Sequence, residues 1–71
     1  MRQTILKTVS DVLGLPVTEG SSMEDVPGWD SLKTLQIVMT LDEAGVSIPL
    51  ERIAEVRTVG DLIRFSEQGH A

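Results

Sequence analysis

The residues best suited to chemistry are three consecutive ones, Asp30-Ser31-Leu32, which stand between a loop and a long apolar segment. Asp30 can cap a helix that begins at the next residue, because its carboxylate can accept the unpaired N–H groups of the first turn. Ser31 would then lie at the positive end of the helix dipole. A hydroxyl there is well placed to carry an anion, since helix N-termini hold phosphates through free N–H groups and the dipole together.

Elsewhere the sequence lacks the groups of a resident catalytic site. The one histidine, His70, lies in a tail that we expect to fray. Lys33 stands two residues after Ser31 and would point to another side of the helix. No glycine-rich phosphate loop follows a strand, and no carboxylates stand at metal-ligand spacing. We interpret the scattered acidic residues as solvated helix faces and expect no enzyme.

Length and composition predict one small domain, residues 1–71, with a modest core. The chain has no cysteine, and therefore neither disulfides nor cysteine metal sites. No apolar run approaches the roughly 20 residues of a membrane span, and the N-terminus lacks the apolar core of a signal peptide. We therefore expect a cytoplasmic protein. The formal net charge of −5 disfavours nucleic acid as a partner and favours a basic protein surface.

Apolar residues at helical spacing predict four helices and no strands. Between the first two helices, residues 15–28 form a long connection without helical or alternating pattern. Thr58-Val59-Gly60-Asp61 is a variant capping box, with Asp in place of the usual Glu, and predicts the start of the last helix. The expected helices run from about Arg2 to Leu13, from Ser31 to about Ala44, from Leu50 to Glu55 and from Val59 to about Glu67, with residues 68–71 frayed.

Apolar residues of the second helix cover an unusually wide arc and fall into two groups. The first group comprises Ile37, Val38 and Leu41, with Thr34 on the same side. The second group, roughly 140° away at about 100° per residue, comprises Leu32, Leu35 and Met39. A helix that only packs on a core needs a narrower stripe. The second group is therefore either a partly exposed docking surface or, if the helix is central, a second buried face.

Asp30-Ser31-Leu32, with Gly28 before them, resemble the phosphopantetheine attachment site of acyl carrier proteins and peptidyl carrier domains. The order of helix, long loop, helix, short helix and helix is similar to that family over nearly the whole chain. Ile48-Pro49 and Thr58-Val59 also stand where the family commonly has Ile-Pro and Thr-Val. The resemblance implies an all-α, acyl-carrier-like four-helix bundle, with three longer helices, a short third helix and a long first loop.

The resemblance also implies a cofactor and a set of partners. A separate phosphopantetheinyl transferase would move 4'-phosphopantetheine from coenzyme A onto the Ser31 hydroxyl. The arm ends in a thiol that holds an acyl or aminoacyl group as a thioester, and loading and processing enzymes act on that group. Asp30 would help the transferase and its magnesium engage the serine, and Leu32 would contact the arm and partners unless it is a first-turn core residue. The expected protein is a free-standing, monomeric carrier.

Partner docking is a further implication, because this family uses the offsets of Leu35 and Met39 from its serine to contact partner enzymes. The resemblance thus favours exposure of the second apolar group. We interpret Trp29 first as an anchor for the loop, with an apolar flank for partners as the alternative. Four acidic residues could form a rim for Lys- and Arg-rich partners or serve solubility alone. They are Asp42, Glu43, Glu51 and Glu55.

Two features depart from the carriers of primary metabolism. Lys33 puts positive charge in the first turn of the second helix, against the dipole. Ala44-Gly45-Val46 stands where many relatives have an aromatic residue and a glycine. Both favour a specialised pathway (polyketide, nonribosomal peptide or saccharide modification) over fatty-acid synthesis. The main rival hypothesis is a non-carrier helical interaction domain that binds through the second apolar group and leaves Ser31 unmodified.

Overall fold

The computed structural model describes residues 2–68. In chain order, the elements are α1 (Arg2–Leu13), α2 (Ser31–Glu43), a 3-10 helix (Leu50–Glu55) and α3 (Val59–Gln68). This arrangement confirms the predicted all-α fold with a long first loop. Small differences occur at two ends, because Ala44 is the C-cap of α2 and α3 extends through Gln68. Gln68, which was predicted to fray, is therefore helical, and the remainder of the predicted tail, including His70, lies outside the described residues.

The core lies between the three α-helices, since α1 packs against both α2 and α3, and the 3-10 helix packs against α2. Each helix contributes residues one turn apart, as the apolar spacing predicted. Burial of this stripe drives helix association, because each large aliphatic side chain contributes about 1.5–3 kcal/mol when fully buried. The side chains with no exposed surface are Ile5, Val9, Ile37, Leu41, Val59 and Leu62.

The long first loop is held to the bundle by apolar side chains along its length. Val26 and Trp29 are buried in the core, which keeps the end of the loop close to the start of α2. Three further side chains pack against the core while remaining partly exposed. They are Leu15, Val17 and Met23. These residues explain how a connection without regular structure stays ordered in a small domain.

Backbone pairing attaches the same loop to the segment that precedes α3. The N–H of Met23 donates to the carbonyl of Arg57 over 2.8 Å, and the N–H of Val59 donates to the carbonyl of Ser21 over 3.0 Å. The two bonds flank one isolated antiparallel bridge. Neither segment has the alternating pattern of a strand, so the sequence analysis did not predict this pairing.

A complete capping box begins α3, as the sequence predicted. The N–H of Asp61 donates to Oγ1 of Thr58 over 3.0 Å, and the N–H of Thr58 donates to Oδ2 of Asp61 over 3.2 Å. The N–H of Arg57 also donates to Oδ2 of Asp61, over 2.9 Å. Asp61 therefore satisfies two backbone donors at a helix start that would otherwise be unpaired.

The substitution Asp61→Ala should lower the free energy of unfolding by about 1–2 kcal/mol, because it removes the carboxylate that accepts both donors. The measurement is a urea unfolding curve followed by far-UV circular dichroism. Asp11→Ala on the exposed side of α1 is the matched control and should leave stability unchanged or slightly raised, since Ala favours helix. Equal losses in the two variants would contradict the role of the cap.

Candidate functional site

The N-terminus of α2 is formed by Asp30, as predicted. Its backbone is extended, with φ −124° and ψ −170°, and its Oδ1 accepts the N–H of Lys33 over 3.0 Å. Its carbonyl accepts the N–H of Thr34 over 3.0 Å, which is the first turn of the helix. Gly28 precedes this junction with φ +86°, a conformation that favours glycine and lets the loop turn into the helix.

Ser31 is the first residue of α2 and is exposed to solvent. It therefore belongs to the first turn, whose backbone N–H groups have no partner within the helix, at the positive end of the dipole. The neighbouring Leu32 is 74% exposed, so it is not a first-turn core residue. The site therefore presents a primary hydroxyl on a firmly capped helix end, with an apolar side chain beside it.

Trp29 is buried, with only 4% of its surface exposed, which favours the loop anchor and corrects the alternative of an apolar flank for partner docking. Its indole Nε1–H donates to Oγ1 of Thr34 over 2.8 Å. A buried indole needs such a partner for its N–H, and Thr34 supplies it from the core side of α2. The side chain thus anchors the loop and has no face for a partner protein.

An open groove of about 490 Å³ lies beside Ser31, between the start of α2 and the 3-10 helix. Its wall is mainly apolar, with one arginine. The lining includes Met23, Ser31, Leu50, Ile53, Val56 and Arg57. This groove has no signature in the sequence, because its walls come from three segments that are separate in sequence. A flexible chain attached at the serine hydroxyl could lie along it.

The second apolar group of α2 is exposed, which decides between the two alternatives that periodicity left open. Leu35 is 45% exposed and Met39 is 59% exposed, while Leu32 lies beside them at the helix start. Leu50 of the 3-10 helix is 80% exposed and was not part of the predicted surface. Periodicity over a six-residue helix is too short to show which side faces outward. We call these four residues the apolar face.

Comparison with known proteins identifies the chain. The family described as "Phosphopantetheine attachment site" matches residues 3–66. The chain belongs to this carrier family. It is 40% identical over 73 aligned positions to the acyl carrier protein of Sinorhizobium fredii (strain NBRC 101917 / NGR234), covering 97% of this chain and 94% of the relative. The same values hold for the acyl carrier protein AcpP of Rhizobium meliloti (strain 1021).

Family membership confirms three expectations. The cofactor of the family is covalently attached 4'-phosphopantetheine, and its members are carriers rather than enzymes. A carrier of this kind is acted on by a phosphopantetheinyl transferase and by enzymes that handle acyl groups.

Among residues 2–68 no cluster of three or more His or acidic side chains could hold a metal ion. No helix in the same range is long and apolar enough to cross a membrane.

The predicted acidic rim of the carrier is exposed, but its charges have different surroundings. Asp42 and Glu43 line a second depression at the end of α2, together with Met39 and Leu50 of the apolar face. Glu51 and Glu55 are exposed on the 3-10 helix, where Glu55 is within 3.1 Å of the Arg52 guanidinium. Asp42 and Glu43 thus share a depression with exposed apolar side chains, and Glu51 directly follows exposed Leu50. A role in docking stays a prediction.

The substitution Trp29→Ala should cost about 3–5 kcal/mol of unfolding free energy, because it leaves a cavity and removes a buried hydrogen bond. Leu32→Ala, three residues later, should change stability by less than about 0.5 kcal/mol, since that side chain faces solvent. Urea or thermal unfolding of the two variants measures the difference. Similar losses would show that our distinction between anchor and surface residue is wrong.

Proposed function

We propose that the chain is an acyl carrier domain, residues 1–71, in which the Ser31 hydroxyl is the attachment point of 4'-phosphopantetheine. The observation that supports this assignment is the position of Ser31, exposed at the first residue of a capped helix inside the segment that matches the family. Cargo of the acyl class is favoured, because both relatives are named acyl carrier proteins. The expectations of a specialised pathway and of a cytoplasmic location stay predictions.

The residues around Ser31 fit this cofactor. The hydroxyl oxygen supplies the nucleophile for a phosphodiester bond, with the adenosine bisphosphate part of coenzyme A as the leaving group. At the capped helix end the phosphate would be near free backbone N–H groups. That position stabilises the negative charge by about 0.3–1 kcal/mol at an exposed site. Half-buried Lys33 adds a positive charge in the same turn. When bound, the cofactor supplies a terminal thiol that holds an acyl group as a thioester, and the mainly apolar groove offers it a surface to lie on.

Intact-protein mass spectrometry tests the attachment site. After incubation with coenzyme A, magnesium and a broad-specificity phosphopantetheinyl transferase, the wild type should gain the mass of one phosphopantetheine. Ser31→Ala should gain nothing, because the nucleophile is gone. Ser47→Ala removes another exposed hydroxyl and should be modified like the wild type. The proposal fails if the folded wild type is not modified while a known carrier is.

The apolar face is the surface that we propose for partner docking, flanked by Glu43 and Glu51. Its support is the exposure of Leu32, Leu35 and Met39 along α2, on the turns that follow Ser31. A solvent-exposed set of large apolar side chains costs solubility and is retained on small domains where a partner covers it.

Asp30 has a second proposed role, as the carboxylate that helps the transferase and its magnesium engage the serine.

The double substitution Leu35→Ala/Met39→Ala should raise the KM of the phosphopantetheinyl transferase for the carrier by about fivefold or more. The reason is that truncated contact residues commonly cost over 1 kcal/mol of binding free energy. The turnover number should change less, since Ser31 and its cap are intact. Gln3→Ala on the exposed side of α1 is the control and should leave KM unchanged. Unaltered KM in the double variant would remove these residues from the docking surface.

A further inference from the structure

A hydrogen-bonded relay crosses the junction between the long loop and α2, directly behind Ser31. The indole N–H of Trp29 donates to Oγ1 of Thr34 over 2.8 Å, and that hydroxyl donates onward to the carbonyl of Asp30 over 3.1 Å. Trp29 and Thr34 are 4% and 3% exposed, so water has little access to either side chain. The relay plays no part in the attachment chemistry described above.

The relay ends on the residue that precedes Ser31. The carbonyl of Asp30 accepts two bonds from Thr34, one from its N–H over 3.0 Å and one from its hydroxyl. The carboxylate of Asp30 is held separately by the N–H of Lys33. The backbone carbonyl and the side-chain carboxylate of Asp30 are thereby both restrained. The carbonyl that accepts the two hydrogen bonds belongs to the peptide unit that joins Asp30 to Ser31. Because the peptide unit is planar, restraint of this carbonyl also restrains the backbone N–H and Cα of Ser31.

The chemistry of the two side chains suits this restraint. A threonine hydroxyl can accept one hydrogen bond and donate another at the same time, whereas an indole N–H can only donate. The direction of the relay is therefore set by Trp29, whose N–H occupies an acceptor site on Thr34 and leaves the hydroxyl proton for Asp30. The branched side chain of Thr34 also has few rotamers on a helix, which favours a single geometry.

We propose that Trp29 and Thr34 are positioning residues for the modification of Ser31, acting through the carbonyl of Asp30. This inference rests on the proposed function, because it concerns the same hydroxyl. The relay holds the peptide before Ser31 in the orientation in which the transferase meets it. Nucleophilic attack is sensitive to such orientation, since the reacting atoms must be aligned as well as close. The apolar face contributes binding, and the relay contributes the direction of the nucleophile.

Three single substitutions test the relay at a temperature where circular dichroism shows each variant folded. Thr34→Val keeps the branched shape and removes the hydroxyl, while Trp29→Phe keeps an aromatic ring and removes the N–H. Both should lower the kcat of phosphopantetheinylation by about three- to tenfold, the effect of one lost hydrogen bond. The KM for the carrier should stay within about twofold. Thr34→Ser retains the hydroxyl and should keep kcat within about twofold of wild type.

A nuclear magnetic resonance signal reports the relay without any enzyme. Trp29 is the sole tryptophan, so its indole N–H gives one resonance, which should exchange slowly with solvent in the wild type. Thr34→Val should accelerate that exchange and shift the resonance, whereas Thr34→Ser should preserve it. Fast exchange in the folded wild type would overturn the relay even if a variant fails to fold.

The outcomes separate this inference from the proposed function. Absence of modification in the wild type would overturn the attachment site itself. Modification of the wild type, with Thr34→Val folded and turned over at the wild-type kcat, would overturn only the positioning role. A Thr34→Ser variant as slow as Thr34→Val would do the same, because shape rather than the hydroxyl would then be responsible. If the double variant Thr34→Val/Trp29→Phe has the same kcat as Thr34→Val alone, the two side chains act through the same hydrogen-bonded relay.

Discussion

The burial of one indole ring is the constraint on which the attachment region depends. Trp29 brings the end of a loop that lacks regular structure into the core, and its N–H is satisfied by Thr34 from the buried side of α2. Loss of the hydrogen bond would leave the indole N–H unpaired, and loss of the ring would leave a cavity. Either change lowers the free energy of unfolding of a small domain. The residue before the exposed serine thus accepts a hydrogen bond from a pair of buried side chains.

The two sides of α2 have different surroundings. One side of the helix, with Ile37 and Leu41, is buried against the bundle, while Leu35 and Met39 face solvent. A chain of 71 residues has little apolar surface to spare, and the large side chains that α2 exposes add nothing to its small core. In the proposed function this exposure serves partner docking, because enzymes that act on the cargo would bind near the helix that begins at Ser31.

The first loop and the last helix form a second unit that supports the site from the other side. Asp61 caps α3, and the backbone around Arg57 pairs with the loop near Met23. Both of these residues also line the groove beside Ser31. Part of the groove wall is therefore held by a backbone pairing, and the remainder comes from the start of α2 and from the 3-10 helix.

The helices were predictable from the sequence, with limits correct to within one residue at most ends. The cap at Asp30 was predictable as well, and so was the place of Ser31 at the start of α2. These features follow from local rules of spacing, capping and turn chemistry, which act within one or two turns. The tertiary structure decided between alternatives that the sequence left open, because it buries Trp29 as an anchor and exposes the second apolar group of α2. It also created the groove and the pairing of the loop with α3. Those outcomes depend on contacts between distant segments, and periodicity within one helix carries no information about what packs against it.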